Sequence, residues 1–199
     1  MQLLYLTDCL THRGGAPHHL LDIIHAAPGQ RTVVAGRIDQ SVVLPPDIRV
    51  EKIPSLASSG ENTTGLPALS HLMEAADVIH VQNVMNAAIV RRAVQTGRAV
   101  ITIQDHRVFC PGPGKTLPDA ARCTIQMTDA HCSECLPDAG YRNQMLERTH
   151  GRLEALKGAK LVVLSNYMAQ ELARAGLPDA HVIAPPVSAA KTPSGAGHG

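Results

Sequence analysis

Aromatic side chains are nearly missing from this chain of 199 residues, which has three Tyr, one Phe and no Trp. A core must then come from Val, Leu, Ile, Ala and Met, and the exposed stacking platforms that hold single-stranded nucleic acid are excluded. A charge excess is missing too: 18 Lys and Arg face 17 Asp and Glu, for a formal net charge of +1. Nucleic-acid binding calls for a basic stripe, so no nucleic-acid partner is expected. No apolar run reaches the roughly 20 residues that span a bilayer, which leaves peripheral contact as the membrane role still open. The opening residues Met1-Gln2-Leu3-Leu4-Tyr5-Leu6-Thr7-Asp8 lack a basic start and are interrupted by Asp8. They read as a first strand rather than a signal peptide. With 44% hydrophobic against 18% charged residues, the bulk of the chain is not disordered, and its length suits one domain.

Histidine and cysteine are what the chain holds in quantity, eleven and five respectively. An odd thiol count without a secretion signal points to a reducing cytoplasm.

Apolar β-type runs alternate with amphipathic ones. Strands are expected at residues 3–6, 32–35, 49–53, 78–81, 100–103, 161–164 and 181–183. Helices are expected from Pro17, over 66–75, after the cap Asn86, from Asp138 to about Lys157, and after Ser165 or Asn166. The alternation gives an α/β domain with a doubly wound, Rossmann-like parallel sheet over residues 1–187, followed by a flexible tail or linker at 188–199. Residues 105–137 show no period and hold four of the five Cys. Ligands of such sheets bind beyond the carboxyl ends of the strands. That directs attention to residues 7–15, 82–85, 104–109 and 165–167.

Gly14 and Gly15 follow the first strand and open a helix, where free N–H groups and close backbone approach suit an anion such as phosphate. The same pair also fits an ordinary turn that needs positive φ. The three spaced glycines of a dinucleotide site are missing. Pro111-Gly112-Pro113-Gly114-Lys115-Thr116 resembles the end of a P-loop, but Phe109 stands where its first glycine belongs and two prolines remove donors, so it is rejected. Cys110, Cys123, Cys132 and Cys135 include one C-x-x-C. They are candidates for a structural zinc or another staple of the long loop, with reduced packed thiols or adventitious disulfides as the alternatives. Cys9 stands apart. His12, His80 and His106 fall at or just after strand ends with Asp105 and Arg107, and are expected to converge on one crevice. His18, His19 and His25 share one helix and are expected to be partly exposed.

Taken in order, these segments resemble the N-terminal domain of family-4 glycosyltransferases of the GT-B fold. The residues that carry the likeness are Leu4-Tyr5-Leu6-Thr7 with His12-Arg13-Gly14-Gly15-Ala16, and Ala76-Asp77-Val78-Ile79-His80-Val81. They continue with Val100-Ile101-Thr102-Ile103-Gln104-Asp105-His106, Cys110-Pro111 and Leu161-Val162-Val163-Leu164-Ser165. The resemblance implies half of a retaining enzyme that transfers a sugar from a nucleotide-sugar donor to an unidentified sugar or lipid-linked acceptor. No metal would be required for catalysis. It implies a substrate-binding role for Gly14, Gly15, His12, His80, Asn83 and Ser165, and a catalytic wall of Gln104, Asp105 and His106. Three positions depart from the family: Gln104-Asp105 replaces His-Asp, His80-Val81-Gln82 replaces His-x-His, and Pro17 replaces a glutamate. A glutamine can hydrogen-bond a hydroxyl but does not titrate. The donor-binding half is expected on a separate domain or subunit. A non-catalytic carbohydrate- or metal-binding module is the alternative.

Overall fold

The computed structural model describes residues 1–185, so Pro186-Val187 and the expected tail at 188–199 lie outside the described residues. Seven strands and six helices alternate. They are β1 (Gln2–Leu10), α1 (Gly15–Ala26), β2 (Gln30–Ile38), β3 (Ile48–Lys52), α2 (Leu66–Ala75), β4 (Val78–Gln82) and α3 (Ala87–Gln95). After them come β5 (Ala99–Ile103), α4 (Asp129–Cys132), α5 (Ala139–Leu156), β6 (Lys160–Val163), α6 (Asn166–Arg174) and β7 (Ala180–Val182). All strands are parallel, in the order β3-β2-β1-β4-β5-β6-β7. This is the expected α/β, Rossmann-like doubly wound sheet.

Parallel strands need crossovers, and the crossover helices bury both faces of the sheet, which is why its strands read as unbroken apolar runs. Leu4 and Leu6 point into a large core formed with α2, α3, α5 and α6. Tyr5, between them, joins a smaller core on the opposite face, filled from α1 by Leu20, Leu21 and Ile24. Chain order reverses between β1 and β4, so the switch point, where such sheets bind ligands, lies between the loops that follow these two strands.

Four helices start at side-chain caps, the one-turn α4 at Thr128, whose Oγ1 accepts from His131 N–H. Asn86 Oδ1 accepts from the N–H groups of Ala88 and Ile89, Asp138 Oδ1 from Tyr141 N–H, and Ser165 Oγ from Met168 N–H.

Several boundaries differ from the sequence expectation. β1 continues through Leu10, because Thr7, Cys9 and Leu10 pair with Ala35, Arg37 and Ile38 of β2. The loop on the ligand side is therefore 11–14. Gln82 ends β4 rather than following it, in register with Thr7 and Thr102. α1 opens at Gly15, which puts Pro17 inside the first turn.

The 105–137 insertion contains a 3-10 turn at His106–Val108, an isolated antiparallel bridge between Thr116 and Arg122, and the one-turn α4. Two ionic nodes tie it down. Glu171 of α6, 2% exposed, meets Arg122 at 2.7 Å, Arg174 at 2.5 Å and Lys115 at 3.7 Å. Burial works against the Glu171 charge, yet Arg122, Lys115 and Arg174 together hold its carboxyl below the usual range. Arg142 of α5 donates to Asp129 Oδ1 at 2.6 Å and to the carbonyls of Leu136 and Pro137.

Candidate functional site at the sheet switch point

The loop after β1 is shaped by Thr11, whose Oγ1 donates to Asp39 and accepts from Arg13 N–H. Gly14 caps α1 at φ 93°, ψ 158°, a region effectively reserved for glycine. No side chain caps α1 and its first turn holds no acid, so its leading N–H groups and helix dipole are free for an anion. A Cβ at Gly15 would meet nothing within 4 Å, so space lies open above the turn. Opposite, Asn83 follows β4 in the left-handed region at φ 59°. Between them sits Gln82, fully buried: its Nε2 donates to Ala16 O at 2.5 Å, and its Oε1 is buried without a partner. An orphaned buried acceptor is rare enough to need a reason. Here it lies where the two halves of the sheet part.

A polar seam runs under α1. His80 Nε2 and Thr102 Oγ1 are hydrogen-bonded at 2.8 Å, and the His80 ring packs edge-on against Tyr5. Burial pushes the His80 imidazole down to about 4, with the positive influence of His19 adding to the effect, so the ring is neutral at physiological pH. Gln104 Nε2 is hydrogen-bonded to His19 Nδ1 at 2.7 Å, joining the end of β5 to α1.

Asp105 caps the 3-10 turn, accepting from Arg107 N–H at 2.8 Å and from Arg107 Nε at 2.6 Å. His106 Nε2 is hydrogen-bonded to Tyr167 OH at 3.2 Å, and its ring packs against Phe109 and Tyr167. Ser165 is the α6 cap described above.

The three histidines expected to converge each keep separate company. His12 is exposed beside His18 with ring centres 6.0 Å apart, His80 is inside the sheet, and His106 is against Tyr167. His18 and His25 are exposed as expected, whereas His19 is half-buried and joins the seam.

Cys110, Cys123, Cys132 and Cys135 line one small cavity with His131, and none forms a disulfide. Lys115 N–H points at Cys110 Sγ, 3.3 Å away, so the false P-loop shapes a thiol pocket. Burial pushes the Cys132 and Cys135 thiols up, and the neighbouring thiols add to it. Among the described residues no group of three or more His, Cys, Asp or Glu is set to hold a metal ion. Soft sulfur donors around one cavity fit zinc in kind, and would have to draw closer to ligate it.

The sequence pattern marks His19 only as a helix-face residue and Gln82 only as a departure from His-x-His, and it gives no role to Arg142, Arg152 and Glu171. The last two could have been found, because each is a charge on the buried stripe of its helix. Arg152 stands with Thr149, Leu153 and Leu156, and Glu171 with Met168 and Leu172.

Compared with known family models, curated proteins and solved structures, the chain matches none. No helix among the described residues is long and apolar enough to cross a membrane.

Proposed function

We propose that the chain is the acceptor-side domain of a retaining glycosyltransferase, with the nucleotide-sugar donor held across the crevice by another domain or chain. The observation that carries this reading is the Gly14-Gly15 turn. It opens an uncapped α1 at the switch point, beside the orphaned amide oxygen of Gln82. A donor pyrophosphate is what such a turn suits, being an anion that needs both N–H donors and an absent Cβ. Gln104, Asp105 and His106 form the acceptor wall in this proposal. Gln104 and His106 are positioned by His19 and Tyr167, and Asp105 is held as a fixed carboxylate by Arg107. His80, neutral and enclosed, supports the wall from below rather than exchanging protons at physiological pH.

The test uses the chain assembled with a donor-binding half. Gly15→Val abolishes transfer while leaving thermal stability near that of the parent, since a Cβ there meets no protein atom within 4 Å. Unchanged turnover refutes the assignment. Micromolar binding of a nucleotide sugar by the isolated chain refutes the acceptor-half reading.

A second reading, a metal-binding module, is favoured by one observation, the four thiols around one cavity. We propose zinc there as a structural staple in either case, held by Cys110, Cys123, Cys132 and Cys135. The metal would supply cross-linking of the insertion and no chemistry of transfer.

A further inference from the structure

A cavity of about 430 Å³ opens between the start of the insertion and α5, against the loop that follows β4. Part of its lining is cationic, Arg107 and Arg152, and part is apolar, Met85, Leu136, Tyr141 and Met145; the insertion supplies most of the rest, with Cys110 and Cys135 at its edge with the thiol cavity.

Arg152 is the unusual member. It is 5% exposed, and its guanidinium donates only to neutral backbone carbonyls, those of Arg107 at 2.7 Å, Ser59 at 3.1 Å and Met85 at 3.3 Å. Taking a guanidinium out of water is costly unless an anion answers it, and no carboxylate forms an ion pair with Arg152 among the described residues. Burial, with Arg107 and Arg148 as neighbours, lowers the affinity of Arg152 for its own proton, and Asp105 opposes this. Asp105 is already taken by Arg107, however, and Asp8, the other acid near Arg107, is shared with Arg37 at 3.8 Å. Arg148 reaches Ser59 Oγ at 3.4 Å. Arg152 therefore has two guanidinium neighbours, Arg107 and Arg148, and the one carboxylate that acts on it is already paired. Arg107 is half exposed and keeps donors for a ligand after pairing through Nε.

We propose that this cavity seats a phosphate carried on an apolar stem, with Arg107 binding the phosphate at the mouth, Arg152 providing the compensating positive charge behind it, and the methionine and tyrosine side chains packing the stem. The assignment rests on the acceptor-side reading and narrows the acceptor to a phosphate-bearing amphiphile. Guanidinium forks match phosphate oxygens, and methionine adapts to flexible apolar chains.

Calorimetric titration of the 199-residue chain tests it with three probes below their micellar concentrations: octyl phosphate, inorganic phosphate and octyl glucoside. Octyl phosphate is expected to bind at least about tenfold more tightly than either of the others, since each lacks one half of the match. Arg107→Ala, an exposed position where folding is not at stake, weakens octyl phosphate about tenfold and leaves octyl glucoside unchanged. Tyr141→Ser, also exposed, weakens octyl phosphate without altering inorganic phosphate. Equal binding of inorganic and octyl phosphate overturns the apolar stem. Indifference of octyl phosphate to Arg107→Ala overturns the phosphate seat. Neither outcome depends on transfer, so an assembled enzyme that glycosylates a neutral acceptor and is unaffected by Tyr141→Ser would remove this proposal and keep the transferase. Tight octyl phosphate binding by a chain that confers no transfer would do the reverse.

Discussion

Replacing His80 by Gln should remove a defined part of the acid sensitivity of this fold. In the folded chain the imidazole is enclosed beside Tyr5 and Thr102 and takes a proton only near pH 4, against 6.5 for the free side chain. Between those values the unfolded state binds more protons than the native state, so acid favours unfolding. The contribution is fully present above pH 6.5 and is lost as the pH falls toward 4. Each pH unit in that window costs the fold about 1.4 kcal/mol, roughly 3 kcal/mol in all. That is a large share of the 5–15 kcal/mol or so that typically holds a domain together. Gln keeps a hydrogen-bonding group for Thr102 but does not titrate. Urea unfolding of both proteins at about pH 7.5 and about pH 4.5 gives four stabilities, and the wild type is expected to lose about 2.5 kcal/mol more than His80→Gln between the two. Carboxylates such as Glu171 and Asp129, whose pairing is also lost in acid, are common to both proteins and cancel. A packing difference between Gln and His is independent of pH and cancels in the same way. Equal losses in the two proteins would show that His80 is not held neutral by its surroundings.

Three further outcomes follow from the packing. Gly36→Ala sets a Cβ 2.4 Å from Ala57 N and 2.7 Å from Ala57 Cβ, so it should cost about 2–3 kcal/mol in urea unfolding. Gly60→Ala, with nothing within 4 Å, should stay within about 0.5 kcal/mol, and equal behaviour of the two would count against this packing. Glu171→Gln removes the shared carboxylate of Lys115, Arg122 and Arg174 and should destabilise by about 1–3 kcal/mol, with faster tryptic cleavage in the insertion. An unchanged cleavage rate would mean that the insertion is held by other contacts. Metal analysis of the protein purified in reductant should give one zinc per chain, falling with loss of any of the four thiols, and a value near zero removes the zinc.

Much of the architecture was legible because it depends on short-range rules. Apolar runs such as Val100-Ile101-Thr102-Ile103, and the caps Asn86, Asp138 and Ser165, act within a few residues of themselves, so the α/β alternation and three helix starts could be read directly. Ends of elements were less legible. Thr7, Cys9 and Leu10 are strand only because β2 is there to pair with them, and a polar stretch carries no local sign of that partner. The Gly14-Gly15 pair was visible as a turn or an anion loop, but its position at the β1/β4 reversal depends on strand order, which no local pattern encodes.

The site divides along the same line. By itself the sequence determined the residue types available: the neutral amides Gln82 and Gln104 at strand ends, two glycines, a thiol-rich loop, and charges on the buried stripes of α5 and α6. Only the tertiary structure decided which of these meet. It brought His19 to Gln104 and His80 to Thr102, sent His12 and His106 to different neighbours, and left Arg152 beneath a cavity without a carboxylate. The physical reason is range. Helix caps and alternation are settled between residues a few positions apart, whereas burial of a charge and the neutrality of a histidine are set by atoms that the chain brings together from tens of residues away.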